Sequence, residues 1–100
     1  MKSLQTGYYS TPLDRAAVAA HWQGEGYSCH SMTDRSGQEW NGFTHRTNEY
    51  VTVVTGRLRL IMAGEDIEAG PGDLVFIPKD VMHSVHAIAD GETTWMFGYD

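Results

Sequence analysis

The chain of 100 residues has one cysteine, three prolines, few basic side chains and no long apolar run. A single thiol, Cys29, cannot form an internal disulfide, and this favours a reducing compartment. The longest aliphatic run near the start, residues 16–20, is shorter than the core of a signal peptide and far shorter than a membrane span. We therefore expect a cytoplasmic protein that does not enter a membrane.

The shortage of basic side chains also bears on possible partners. Seven lysines and arginines stand against 13 acidic residues, and the formal net charge is −6. Because binding to phosphate groups needs clustered basic residues, we expect no nucleic-acid partner. The hydrophobic content of 41% supports a packed core. A chain of this length is sufficient for a single domain, which we expect to span residues 1–100.

One stretch near the start carries helical signals. Thr11, Pro12 and Asp14 have the residue types of an N-cap, a first helical position and an acidic third position. An alanine-rich run follows and leads to a stop at Gly24. The pattern predicts a short helix over about residues 12–22, within an N-terminal arm that ends near residue 24.

The rest of the chain has the turn spacing of a β protein. Turn residues recur every eight to twelve positions and separate about eight short strands. Leu58, Leu60 and Met62 alternate with polar neighbours such as Arg59, which predicts that the three apolar side chains face a core. Many short, evenly spaced strands are typical of a sandwich or barrel. We expect an all-β fold with the barrel over about residues 25–100.

Two imidazoles and one carboxylate stand at the ends of predicted strands. His45 lies four positions before Glu49, and His83 lies farther along the chain, after Pro78. Two histidines and one carboxylate with open coordination positions suit ferrous iron and its neighbours. We therefore predict that His45, Glu49 and His83 hold one divalent transition metal: iron, manganese, nickel or zinc.

The surroundings of these three residues resemble the two sequence motifs of the cupin superfamily. Residues 42–56 resemble the first motif, in which His45 takes the place of the second histidine and Glu49 that of the glutamate. Residues 72–87 resemble the second motif, with His83 in place. The resemblance covers about residues 26–99 and implies an antiparallel jelly-roll barrel in a small single-domain member. It also implies the same ligands, His45, Glu49 and His83.

The chain departs from the family motifs at three positions. Phe43 stands where the first motif has its first histidine, so the fourth family ligand is missing. Asp80 replaces a glycine of the second motif, and Ala87 replaces the terminal asparagine. A site with three protein ligands is weaker but leaves more positions open to water or substrate.

The strand alternation also predicts the surroundings of the metal. We expect Phe43, Val53, Phe76, Trp95 and Phe97 to line a pocket beside it. Such a pocket is mostly apolar and has few fixed cations. A carboxylate substrate would therefore bind through the metal itself.

Other interpretations of the same residues stay open at this stage. His45 and His83 also fit the interior of a cupin that has lost its metal, with Glu49 paired to a nearby arginine. His30 or Cys29 would complete the site if a neighbouring strand brought it close, although a cysteine in such a chain is more often a small buried apolar residue.

Two classes of function are compatible with this sequence. The first is a small metalloenzyme of the dioxygenase, isomerase or lyase type, acting on a small organic molecule. The second is a non-catalytic cupin that senses a metal or small ligand. An enzyme needs a second protonic group beside the metal, and Tyr99, Tyr50 and His30 are the candidates. In either class we expect a homodimer, because small cupins that this chain resembles commonly pair and pairing would cover an open sheet edge.

Overall fold

Nine β-strands and one α-helix form the fold of residues 2–100, which the computed structural model describes. The helix α1 spans Arg15–Gly24. The strands are β1 (Leu4–Gln5), β2 (His30–Asp34), β3 (Glu39–Phe43), β4 (Glu49–Thr55), β5 (Leu58–Met62), β6 (Glu65–Ala69), β7 (Leu74–Ile77), β8 (His83–Ala87) and β9 (Thr93–Tyr99). Strands β2 to β9 are the eight that the turn pattern predicts.

The strands form two sheets whose strand pairings are antiparallel. The first sheet has five strands in the order β1-β7-β4-β9-β2, and the second has four in the order β3-β8-β5-β6. Strands that are distant in sequence lie side by side in both sheets. The all-β prediction is therefore confirmed.

The main core lies between the two sheets. Leu58, Leu60 and Met62 on β5 are buried in it, together with Val51 and Val53 on β4. Arg59, between two of these leucines, is exposed. The alternation predicted for β5 is confirmed, and the removal of these apolar side chains from water is the main stabilising contribution to the sandwich.

A second, smaller core lies where α1 covers the five-stranded sheet. Val18 and Trp22 of the helix pack with Tyr50 of β4 and Met96 of β9. The helix and the segment after it approach closely because Gly98 has no side chain; a Cβ there would overlap the carbonyl oxygen of Ser28 and lie 3.0 Å from Trp22 Cε3. The middle of the five-stranded sheet is thus buried on both faces.

The helix begins later than the sequence pattern predicts. Its N-cap is Asp14, whose Oδ1 accepts a hydrogen bond from the backbone N–H of Ala17 at 3.2 Å, and it ends at Gly24. The prediction of an N-cap at Thr11 was wrong because aspartate caps a helix at least as well as threonine does. No helix in residues 2–100 is both long and apolar enough to cross a membrane.

Candidate metal centre and cavity

The three candidate ligands come from different parts of the chain and meet at one end of the sandwich. Glu49 is the first residue of β4 in the five-stranded sheet, and His83 is the first residue of β8 in the four-stranded sheet. His45 lies in the loop between β3 and β4. One ligand atom from each residue lies within 4.8 Å of the other two.

Glu49 is the centre of this cluster. The residue is only 3% exposed, and its Oε1 lies 3.4 Å from Nε2 of His83 and 3.7 Å from Nε2 of His45. Within residues 2–100 this buried oxygen has no well-formed hydrogen bond, because the imidazole nitrogens on either side of it lie 3.4 Å away or farther. Leaving a buried carboxylate oxygen unsatisfied costs free energy, whereas a cation beside it would remove that cost. The three residues therefore fit a divalent metal ion.

The ring of His83 is held in the orientation that a metal ligand needs. Its Nδ1 lies 3.0 Å from the carbonyl oxygen of Val81. In the neutral tautomer that donates this bond, Nε2 keeps its lone pair and faces Glu49. Burial lowers the pKa of His83, but the neighbouring Glu49 carboxylate and the Val81 carbonyl outweigh it and raise that pKa above its ordinary value. The electrostatics of the site thus favour positive charge at Nε2.

A cavity of about 160 Å³ opens beside the three residues. Its walls are mainly aromatic, formed by Trp40, Phe43, Trp95, Phe97 and Tyr99. Among the described residues, no lysine or arginine lines it. This agrees with the apolar pocket expected from the strand alternation.

The residues predicted to line the pocket divide into two groups. Phe43, Trp95 and Phe97 lie on the cavity wall. Val53 does not, because it lies deeper on β4, in the core between the sheets. Phe76 does not either, because it packs beside Tyr50 on the other face of the sheet, under the helix. Alternation separates two faces of a strand, but both faces of this sheet are covered by apolar side chains.

Three further residues, which are not among the five predicted pocket residues, also line the cavity. Val85 follows His83 by two positions on the same face of β8, so its place was readable from the alternation. Trp40 on β3 and Met32 on β2 also line it. Their position depends on how the edge strands β2 and β3 pair and pack, which no local pattern in the sequence specifies.

A buried aspartate forms hydrogen bonds with two residues of the cavity wall. Oδ2 of Asp34 accepts hydrogen bonds from the indole Nε1–H of Trp40, at 3.0 Å, and of Trp95, at 2.9 Å. Asp34 is 5% exposed and is the last residue of β2. Both indole rings are therefore fixed, and neither N–H is free to bond to a molecule in the cavity.

Of the candidates for a second protonic group, only Tyr99 lies at the cavity among residues 2–100. Its ring centroid is 4.9 Å from that of His45. Burial, with a further contribution from the charge of Glu49, raises the pKa of Tyr99 to about 12. Its hydroxyl group therefore stays protonated at neutral pH and is available as a hydrogen-bond donor.

The other candidates lie elsewhere. Tyr50 is on the helix-covered face, where its hydroxyl donates to Glu25 at 2.9 Å. His30 is exposed on β2, against the ring of Phe97. Cys29 packs at the edge of the second core, so neither His30 nor Cys29 joins the three candidate ligands.

The comparison with known families agrees with this architecture. Residues 32–99 match the family model described as a cupin domain. The chain belongs to the cupin family. The resemblance to the cupin superfamily is thereby confirmed, and the antiparallel jelly roll that it implies is the fold observed. No curated protein sequence matches the chain at a significant level.

Solved structures with the same fold include three that are informative here. An RmlC-like cupin from Shewanella frigidimarina has a TM-score of 0.65 at 19% identity, over 73% of this chain and 64% of that one. DMSP lyase DddQ from Ruegeria pomeroyi has a TM-score of 0.65 at 20% identity, over 73% and 37%. A mutant salicylate 1,2-dioxygenase from Pseudoaminobacter salicylatoxidans has a TM-score of 0.65 at 22% identity, over 74% and 21%. The chain thus spans less than two thirds of each of these proteins, and the likeness is one of fold.

Proposed function

We propose that this cupin is a mononuclear metalloenzyme that acts on a small organic molecule, of the dioxygenase, isomerase or lyase type. One divalent ion of iron, manganese, nickel or zinc is held by His45, Glu49 and His83. The observation that carries the proposal is the buried, unpartnered Oε1 of Glu49 with an imidazole Nε2 on either side of it. Nitrogen and carboxylate donors are the set that these metals prefer.

The structural neighbours support the reaction class. Two of them are a salicylate 1,2-dioxygenase and a DMSP lyase, so the same barrel houses enzymes that act on small molecules. Because one fold serves many unrelated functions, they carry no information on the substrate of this chain. The shape and chemistry of the cavity are the better guide to the substrate.

The chain's own residues supply the rest of the chemistry. A bound divalent metal would supply Lewis acidity or redox chemistry at its open coordination positions. The aromatic walls present apolar surface, and a substrate packed against them would displace water, which strengthens electrostatic interactions there. The protonated hydroxyl of Tyr99 would donate a hydrogen bond to a substrate oxygen on which negative charge develops. A hydrogen-bond donor at the cavity supports an enzyme over a non-catalytic sensor, because a sensor needs no group that stabilises developing charge.

Titration with cobalt(II) tests the proposed metal site. We expect the metal-free protein to bind one ion per chain, with visible absorption bands that report nitrogen and oxygen ligands. Glu49→Gln should abolish those bands. His86→Ala is the matched control, because His86 lies on the outer face, where its Nε2 is 2.7 Å from Oδ1 of Asn41. Absence of the bands in the wild-type protein, or their persistence in Glu49→Gln, would contradict the proposal.

We also propose that the protein is a homodimer. Strand β2 is an edge of the five-stranded sheet and β6 an edge of the four-stranded sheet, and pairing would cover unpaired backbone groups of this kind. Light scattering at micromolar concentration tests it. A mass of 11.1 kDa, that of a single chain, would refute it.

A further inference from the structure

We infer that the cavity binds a monocyclic aromatic molecule whose oxygen donors all lie at one end, as in a simple phenol. This deepens the proposed function and rests on it for the position of the oxygen, which we place beside the metal. The inference depends on three properties of the cavity: the chemistry of its inner wall, the position of its free polar groups and its volume.

The inner wall offers aromatic surface and no free hydrogen-bonding group. Trp40, Trp95 and Phe97 form it, and the rings of Trp95 and Phe97 are 5.1 Å apart. Both indole N–H groups of this wall already donate to the same oxygen of Asp34. A polar group of a ligand placed here would lose its water and gain no partner, so the ligand end that contacts this wall must be apolar.

The remaining polar groups of the cavity are clustered together. His45 lies between His83, at 5.1 Å, and Tyr99, at 4.9 Å, measured between ring centroids, and both histidines flank Glu49. Arg46 lies on the same side, in an outer groove that it shares with His45 and Tyr99. Every group that could bind an oxygen donor or an anionic oxygen is therefore at one end. The ligand that fits is polar at that end and apolar at the other.

The volume limits the apolar part to about one six-membered ring. The cavity measures about 160 Å³. An apolar protein cavity of roughly 150 Å³ stays dry and takes up benzene. An aromatic ring fits better than a saturated one, because aromatic pairs in offset or edge-to-face contact gain energy beyond the area that they bury.

Nuclear magnetic resonance of ¹⁵N-labelled protein provides a direct test, because the chain has three tryptophans. Phenol should shift the indole signals of Trp40 and Trp95, and leave that of Trp22, in the second core, in place. We expect phenol to bind about three- to tenfold more tightly than cyclohexanol. Hydroquinone should bind at least about tenfold more weakly than phenol, because its second hydroxyl meets the inner wall. Equal or tighter binding of either comparison compound would overturn the inference.

A change of cavity size gives a second test. Its expected result is a gain of binding, which misfolding would not produce. Phe97→Ala enlarges the cavity, so 1-naphthol, which we expect not to fit the wild-type cavity, should bind to this variant. Phe76→Ala is the matched control, since it removes a ring from the opposite face of the same sheet. No gain of 1-naphthol binding in Phe97→Ala, or an equal gain in Phe76→Ala, would overturn the inference.

Measurements on metal-free and zinc-loaded protein separate this inference from the proposed function. Phenol binding with the predicted order, together with an absence of zinc binding, would support the ligand class and refute the metal. Zinc binding, together with no shift of the Trp40 or Trp95 signals by phenol, would support the metal and refute the ligand class. With both intact, zinc should tighten the binding of phenol, because its oxygen then has a ligand position to occupy.

Discussion

Nε2 of His83 lies 3.4 Å from Oε1 of Glu49, and this contact joins the two sheets of the sandwich. Each residue is the first of its strand, and the strands belong to different sheets. The site therefore depends on the packing of the whole barrel. A metal ion bound there would connect the sheets, so its binding free energy would also stabilise the fold.

Removal of either histidine should have a similar effect on metal affinity. His45→Ala and His83→Ala should each weaken zinc binding by about 100-fold or more, because a three-ligand site has no spare donor. Competition with a chelating dye measures this. The exposed His30, replaced by alanine, is the control. If either ligand variant keeps the wild-type affinity, the ligand assignment is wrong.

Phe43 offers a test in the opposite direction. Its ring lies 6.4 Å from that of His45 and 6.5 Å from that of His83, measured between centroids, and the residue is 40% exposed at the cavity. Phe43→His should therefore raise the affinity for zinc or nickel by adding a nitrogen donor, whereas Phe43→Leu should not. Isothermal titration calorimetry of the folded variants measures both affinities. Equal affinities would place the missing family ligand away from the metal.

The sequence predicted the candidate ligands but only part of their surroundings. His45, Glu49 and His83 are recognisable because their spacing resembles a family motif. Phe76 was misplaced, since its strand is apolar on both faces and alternation does not say which face meets the cavity. The buried Asp34 was not predicted to belong to the site. Its partner Trp95 is 61 positions away, so only the folded chain reveals the pair.

Asp34 should be important for stability as well as for the cavity. Asp34→Ala leaves the buried indole N–H of Trp95 and the half-buried one of Trp40 without an acceptor, which should lower the free energy of unfolding by about 2–4 kcal/mol. Asp34→Asn keeps one acceptor oxygen and should lose less. Urea denaturation followed by circular dichroism measures both. Asp66→Ala, which removes an exposed carboxylate, is the control, and a loss as large as that of Asp34→Ala would contradict this account.

The tyrosines predict how stability depends on alkaline pH. Burial raises the pKa of Tyr9 and of Tyr99 from 10.0 to about 12, and it also raises the pKa values of Tyr27 and Tyr50. The folded state thus holds these protons more tightly than the unfolded state does. Stability should be unaffected below about pH 10 and fall as the pH rises from there towards 12. Phenolate absorbance and circular dichroism should change together; ionisation of all four near pH 10 in a protein that stays folded would disprove the burial argument.

Elemental analysis of the purified, tag-free protein decides whether the chain holds a metal. We expect about one equivalent of iron, manganese, nickel or zinc per chain, lost on treatment with a chelator and restored by adding the metal back. Glu49→Gln purified in parallel should contain almost none. A wild-type protein that contains none of these metals, and binds none when they are supplied, would show that His45, Glu49 and His83 do not form a metal site.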